Sequence, residues 1–331
     1  MTSIRRIGVL TSGGDAPGMN ACIRSIVLTA AAHQIEVVGF SHGFNGLIEG
    51  DYKKLLPYHV QHIIHLGGTL LKSARCPAMH TEEGAKAAAN TLRQMQLDAL
   101  LVIGGDGSFK GALAIAQHYK GQILGLPGTI DNDVDGTDAT IGYATAIDTA
   151  LDAIDKIRDT ADAFERIFLV ELMGRHSGFI ALSAGIASGA EQIICPELGV
   201  LKPGELDAVI RPIQNAQVVK GKSSYIIVMA EHCYPGGSTA LAADLTKAIG
   251  IECRACVLGH IQRGGSPVGA DRILATKLGA YAVEQLLGGA HLMMAGEVNH
   301  QACLYPLQAS GEHKKRIDPY LLRWQQQVAN D

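Results

Sequence analysis

The stretch Ala99-Leu100-Leu101-Val102-Ile103-Gly104-Gly105-Asp106-Gly107-Ser108 decides the fold class of this chain. A solid apolar run ends in a glycine turn, and an amphipathic stretch, residues 109–119, follows it. The order is strand, turn, helix. Glycines at such a turn let backbone N–H groups approach phosphate oxygens, and the helix N-terminus favours negative charge. Asp106 puts an anion where an anion would otherwise bind. The conflict disappears if a divalent cation bridges carboxylate and phosphate. The stretch reads as a metal–nucleotide phosphate site.

Further along, the apolar pair Ile123-Leu124 leads into Gly125-Leu126-Pro127-Gly128-Thr129-Ile130-Asp131-Asn132-Asp133. Two carboxylates stand two residues apart in a turn-rich loop at a strand's C-terminal end, where ligands of open α/β sheets sit. One is suited to accept a hydroxyl proton while the other holds metal or a neighbouring cation. Strand-like runs recur at residues 7–10, 36–40, 167–171, 192–195, 225–230 and 255–258, with helix-like stretches at 85–95, 144–157 and 273–287. That alternation predicts an α/β protein of parallel sheets with helices on both faces. A domain boundary is expected near residues 135–142, a second α/β domain to about residue 259, and a return of the helix at 271–287 to the first domain. The tail beyond 296 is polar and shows no clear pattern.

At 331 residues the chain has room for two domains. Its 47% hydrophobic and 18% charged content excludes a disordered chain. A net charge of −4 leaves no basic footprint for nucleic acid, so positive charge serving an anionic substrate must be gathered in a site. No apolar run approaches a membrane span, and residues 1–6 lead straight into a strand without the long apolar segment of a signal peptide. Seven cysteines without framework spacing suit a reducing compartment, and a cytoplasmic location is expected.

Other strand ends carry candidate ligand groups. Thr11-Ser12-Gly13-Gly14-Asp15-Ala16-Pro17-Gly18 is either a phosphate cradle or an ordinary strand-to-helix turn, and it gains meaning if it shares a sheet edge with Asp106. Arg75 is a candidate phosphate clamp, although an isolated arginine is more commonly a surface residue. Met173-Gly174-Arg175-His176-Ser177-Gly178 repeats strand, glycine, helix with an arginine at the mouth. Gly259-His260-Ile261-Gln262-Arg263-Gly264-Gly265-Ser266-Pro267 gathers donors suited to a phosphomonoester. Three look-alikes are set aside. Residues 216–223 end in Gly-Lys-Ser but precede a strand instead of following one. Cys253 and Cys256 have no second pair. His59, His62 and His65 lack a completing carboxylate and read as a solvated helix face.

These motifs, from residue 7 to about 290, resemble the ATP-dependent 6-phosphofructokinases of bacterial type. The resemblance is carried by residues 11–20, 104–108, 127–133, 173–175 and 259–267. It implies two Rossmann-like three-layer α/β domains with mainly parallel sheets and an active site in the cleft between them. An ATP-binding domain would comprise residues 1–140 plus about 260–305. A fructose 6-phosphate-binding domain would comprise 141–259 plus about 306–331. The implied reaction moves the γ-phosphoryl group of ATP to the 1-hydroxyl of fructose 6-phosphate. Asp131 falls at the catalytic base and Asp106 at the magnesium position, so Mg2+ and ATP are the implied cofactors. Gly14, Arg75, Cys76, Gly105, Gly107 and Ser108 fall at ATP-binding positions. Thr129, Ile130, Met173, Gly174, Arg175 and Glu231 fall around the sugar and the transferring group. Arg166, Arg254, His260, Ile261, Gln262 and Arg263 fall where the sugar phosphate is held. Arg166 and Arg254 would reach it from a neighbouring subunit, which implies a homotetramer with shared sites.

Gly107 and Gly128 stand where pyrophosphate-using relatives carry Asp and Lys, which favours ATP as donor. Cys76 stands where an aromatic residue is expected, and Lys72 replaces a glycine. Arg24, Arg158, Glu191, Lys220 and Lys222 match an effector site. Leu28, Pro57 and Ser224 replace two arginines and a histidine there, so weak or altered allosteric control is expected.

Overall fold

All six residues of the strand Ala99–Gly104 are buried, and a sheet builds outward from it. The computed structural model describes residues 4–220, 224–312 and 315–330. The strands are β1 (Arg6–Thr11), β2 (Glu36–Phe40), β3 (Tyr52–Leu55), β4 (Ala99–Gly104), β5 (Gln122–Pro127), β6 (Ile167–Leu172), β7 (Gln192–Ile194), β8 (Tyr225–Ala230), β9 (Cys253–Val257), β10 (Met293–Val298) and β11 (Gln301–Pro306). The helices are α1 (Met19–Ala32), α2 (Phe44–Glu49), α3 (Glu82–Gln94), α4 (Asp106–Ala116), α5 (Tyr143–Phe164), α6 (Phe179–Ala187), α7 (Asp207–Lys220), α8 (Gly237–Ile249), α9 (Gly269–Leu287), α10 (Leu307–Ser310) and α11 (Pro319–Asn330). They fall into two compact units. One runs to Ile130 and takes in Val134–Thr145 and Arg263–Lys315. The other holds Asp131–Asp133, Ala146–Gln262 and the chain from Arg316.

The first unit has a seven-stranded sheet in the order β11-β10-β5-β4-β1-β2-β3. Its five inner strands are parallel, and β3 and β11 pair antiparallel at the two edges. Side chains alternate along each strand. Leu100 and Val102 therefore join Phe40, Phe44, Leu92 and Phe109 in one core cluster with α2, α3 and α4. Leu101 and Ile103, equally buried, face the other way, the side where α9 packs on β5 and β10. Burying Phe109 completely contributes about 1.5–3 kcal/mol. The chain leaves β1 for β2 on one side and returns to β4 on the other. The carboxyl ends of β1 and β4 thus flank a topological switch point, the usual ligand crevice of an open α/β sheet.

The second unit has a four-stranded parallel sheet, β7-β8-β6-β9. The chain leaves β6 toward β7 and β8, then returns to β9 on its other side, giving a second switch point at the carboxyl ends of β6 and β9. A small cluster of Leu182, Ile193 and Ile317, with Leu321 and Leu322 packed on it, fixes α11 to this unit.

Three strands and five helices, α2, α7, α8, α10 and α11, have no counterpart in the sequence reading. β3 is an edge strand with three exposed residues, so it lacks an apolar run. β10 and β11 form a hairpin whose outer strand has no fully buried residue. α7 carries Pro212 inside it, and the end helix α11 lies in the polar tail. Elsewhere helices begin earlier than periodicity shows. α3 starts at Glu82 because the Thr81 hydroxyl accepts the Gly84 N–H and two acids occupy the first turn. The chain crosses from the first unit to the second after Lys315, not near 305, because α10 buries Leu307 and the Ser310 carbonyl accepts the Asp135 N–H.

Candidate functional site

In the first unit, three neighbouring strands end level with one another: Thr11 lies opposite Ile103, and Gly104 opposite Pro127. Their loops interlock. Ser12 N–H donates to the Ile103 carbonyl and Gly128 N–H to the Gly104 carbonyl, both at 3.0 Å. The Ser73 hydroxyl reaches the Gly13 carbonyl at 2.6 Å, which brings the segment bearing Arg75 and Cys76 to the same edge. Asn45 donates to the Arg75 carbonyl, while Cys76 is half-buried against the core. Gly14 lies against the Arg263 guanidinium, which also donates to the Asp15 carbonyl at 3.2 Å. Arg263 is thus in the first unit, at the loop containing Gly14.

Asp106 is the first residue of α4 and only 7% exposed. The helix starts three residues earlier than its amphipathic stretch, because an acid in the first turn is stabilised by the helix dipole. Ser108 and Phe109 N–H groups both donate to the Gly105 carbonyl, at 3.0 and 3.1 Å. Lys110, one turn on, lies 3.5 Å from the Asp106 carboxylate. A Cβ on Gly107 would meet nothing within 4 Å, whereas one on Gly128 would strike Ile103 at 2.8 Å. The space beside Asp106 is open, and the proline loop is closed to any side chain at Gly128. Thr129 is 8% exposed, its carbonyl held by the Thr140 hydroxyl at 2.6 Å, and its side chain lies beside Gly105. Ile130 is fully buried.

A single buried carboxylate next to a glycine cradle fits Mg2+, which takes one or two carboxylates and fills its other positions with water and phosphate oxygens. Among the described residues no group of three His, Cys, Asp or Glu forms an all-protein cage. His59, from the run of three histidines, is occupied: its Nδ1 accepts the Leu56 N–H.

In the second unit Asp131 is 7% exposed. Its carbonyl accepts a bond from the Ser177 hydroxyl at 2.9 Å, which ties it to the turn after β6. In that turn Gly174 and Arg175 have positive φ, 154° and 58°, a conformation that costs a non-glycine residue strain. Two side chains from other strand ends hold it. Glu231, just after β8, accepts the Gly174 and Arg175 N–H groups at 3.1 and 2.6 Å. Gln262, after β9, accepts the Met173 N–H at 2.8 Å. Gln262 is fully buried, so its amide serves the turn, while neighbouring His260 and Ile261 are exposed. Asp131, Met173, Gly174, Arg175, Glu231, His260, Ile261 and Gln262 therefore gather at the carboxyl end of this sheet.

Arg166 and Arg254 do not. Arg166 precedes β6, and Arg254 pairs with Phe168 near the start of that strand. Both lie at the amino end of the sheet, bridged by Glu252. Of the effector candidates, Arg158 is ion-paired to Glu191 at 3.2 Å and also donates to the Ser188 and Gly189 carbonyls. Arg24 lies on α1, partly buried. Lys220 ends α7, and Lys222 lies outside the described residues. Ser224, in place of a cation, donates to Asp162.

A sequence model described as phosphofructokinase matches residues 6–286, most of the chain. The chain belongs to the phosphofructokinase family. The ATP-dependent 6-phosphofructokinase 1 of Thermus thermophilus is 49% identical over 98% of this chain and all of its own length. The ATP-dependent 6-phosphofructokinase of Shouchella clausii is 45% identical over the same shares. Phosphofructokinase from Saccharomyces cerevisiae superposes with a TM-score of 0.86 at 33% identity, over 98% of this chain and 48% of the yeast polypeptide. The chain spans about half the length of that yeast relative. A pyrophosphate-dependent phosphofructokinase from Marinobacter aquaeolei shares the fold, with a TM-score of 0.81 at 22% identity, over 98% of this chain and 92% of its own.

The contacts that sequence reading missed are tertiary. Ser73, Thr140, Ser177 and Glu252 each meet a candidate residue through a different strand or loop. No local spacing announces such a contact. Ser177 alone had a signal, being inside a glycine-flanked strand-end motif.

Proposed function

We propose that this chain is an ATP-dependent 6-phosphofructokinase, which transfers the γ-phosphoryl group of ATP to the 1-hydroxyl of fructose 6-phosphate, giving fructose 1,6-bisphosphate and ADP. The observation that carries this reading is full-length identity of 49% to a relative of that name, together with an acid at each of the two strand-end sites. Asp131 is the general base for the 1-hydroxyl. Phosphoryl transfer asks mainly for positioning and charge neutralisation, and a carboxylate near the attacking hydroxyl completes it. Gly14, Gly105, Gly107, Ser108, Arg75 and Cys76 receive the nucleotide. Asp106 would hold Mg2+, which would supply neutralisation of the phosphate charge. Thr129 and Arg175 donate to the equatorial oxygens, where charge builds in the transition state. Met173, Gly174 and Glu231 orient the sugar, with His260 and Arg263 on its phosphate.

The open space beside Gly107 supports a nucleotide donor, since no side chain stands where the α-phosphate would pass. Arg166 and Arg254, at the other end of the strands, are assigned to the sugar phosphate of a neighbouring copy, and the protein to a homotetramer of the cytoplasm. Control by an anionic effector is weak, because Arg158 is already engaged by Glu191 and Ser224 carries no charge. Initial rates with ATP and with pyrophosphate, each against fructose 6-phosphate, test the assignment. ATP is expected to be the efficient donor. Equal or better turnover with pyrophosphate overturns the choice of donor, and no turnover with either overturns the activity.

A further inference from the structure

Phe164, the last residue of α5, is 61% exposed. Singly exposed apolar residues are common, but this ring has a charged neighbour. The guanidinium carbon of Arg166 lies 4.5 Å from its centroid, within cation–π range. Glu252 is ion-paired with the same arginine: its Oε2 lies 2.7 Å from Nε of Arg166, and its Oε1 pairs with Nη2 of Arg254. Two cations against one carboxylate leave the cluster net positive. Its arginine and glutamate side chains are 31–55% exposed, so a solute can reach them.

The geometry determines which edge of Arg166 remains. Its face is against the ring and its Nε is against Glu252, and neither contact uses Nη1 or Nη2. Those two groups form the fork that takes two oxygens of a phosphate. An unsupported arginine would have to freeze several rotatable bonds when the phosphate arrives. Here the ring and the carboxylate have done so beforehand, which is how preorganisation raises affinity without a new contact.

We propose that Phe164 is a positioning residue for substrate binding: its ring, opposite Glu252, holds the Arg166 fork ready for a phosphomonoester. This rests on the assignment of Arg166 and Arg254 to the sugar phosphate. Phe164 is the better probe of the two supports. Removing Glu252 would both loosen the arginines and strengthen their attraction for a dianion, and these effects oppose one another. Changing Phe164 alters no charge.

The test is steady-state kinetics on the full-length chain with Phe164→Leu and Phe164→Tyr, alongside Arg166→Ala. Leu keeps apolar bulk and loses the π face; Tyr keeps the face. An exposed cation–π contact corresponds to a change of about three-fold, so F164L raises KM for fructose 6-phosphate by about that factor. Turnover, KM for ATP, melting temperature and sedimentation stay at wild-type values, and F164Y keeps the wild-type KM. The proposal is overturned by an unchanged KM in F164L, by an equal rise in F164Y, or by a change of assembly state that accompanies the rise. R166A separates the two levels. If it leaves KM unchanged, the assignment of Arg166 fails; if it raises KM strongly while F164L does not, only the role of Phe164 fails.

Discussion

Asp131 and Asp106 are both acids with 7% exposure, yet their surroundings give them different work. Asp106 opens a helix beside a glycine cradle, with Lys110 one turn away, a setting suited to a metal. Asp131 sits in a three-residue acidic segment whose backbone is tied to the Arg175 turn by Ser177. Replacing Asp131 by Asn keeps size and hydrogen-bonding shape and removes the proton acceptor. Asp131→Asn is therefore expected to lower turnover by about 10²–10⁴-fold while both Michaelis constants change little. Single-turnover measurements with saturating substrates check this, and a variant with near-normal turnover would remove Asp131 as the base. The residue types were legible from sequence because a carboxylate in a glycine-rich strand end has few other uses. The support of Asp131 was not, since Ser177 acts through a hydrogen bond that only the fold creates.

Among elements, the inner strands were legible as apolar runs closed by glycine, and so were the loops that follow them. The hairpin of β10 and β11 was the exception: β10 buries only its middle residues, around Met294 and Ala295, and β11 buries none. Its entry nonetheless fixes an inner strand. Nδ1 of His291, just before β10, accepts the Ile123 N–H at 3.2 Å, and burial holds its pKa below the ordinary 6.5. A histidine with a lowered folded pKa is protonated first in the unfolded chain, so acid favours unfolding. Stability is thus expected to fall as pH drops below about 6.5 and to level off below the folded pKa. His291→Asn offers a similarly placed acceptor that does not titrate. Its melting temperature should decline less than that of the unmodified chain between pH 7 and pH 5, by calorimetry at matched ionic strength. Parallel declines would assign the acid limb to other groups.

At the scale of the whole molecule, the two ends of β6 pose a question that one copy of the chain does not answer. Arg166 precedes the strand and Arg175 follows it, with six residues of strand between, on the order of 20 Å. Arg166 is assigned to the sugar phosphate and Arg175 to the phosphoryl group being transferred, and on the proposed assembly one site takes them from different copies. Sequence alone suggested this only through resemblance, because the distance is set by the number of strand residues and by which loop lies at which end. The consequence is complementation. Arg166→Ala and Arg175→Ala chains should each form nearly inactive homo-oligomers. Assembled together at random, about a quarter of the sites would receive an intact Arg166 from one copy and an intact Arg175 from another. Co-expression with two affinity tags, isolation of doubly tagged oligomers and assay of fructose 1,6-bisphosphate formation should recover activity of that order. Doubly tagged oligomers as inactive as their parents would mean that each site is built from a single copy, and Arg166 would then need another role.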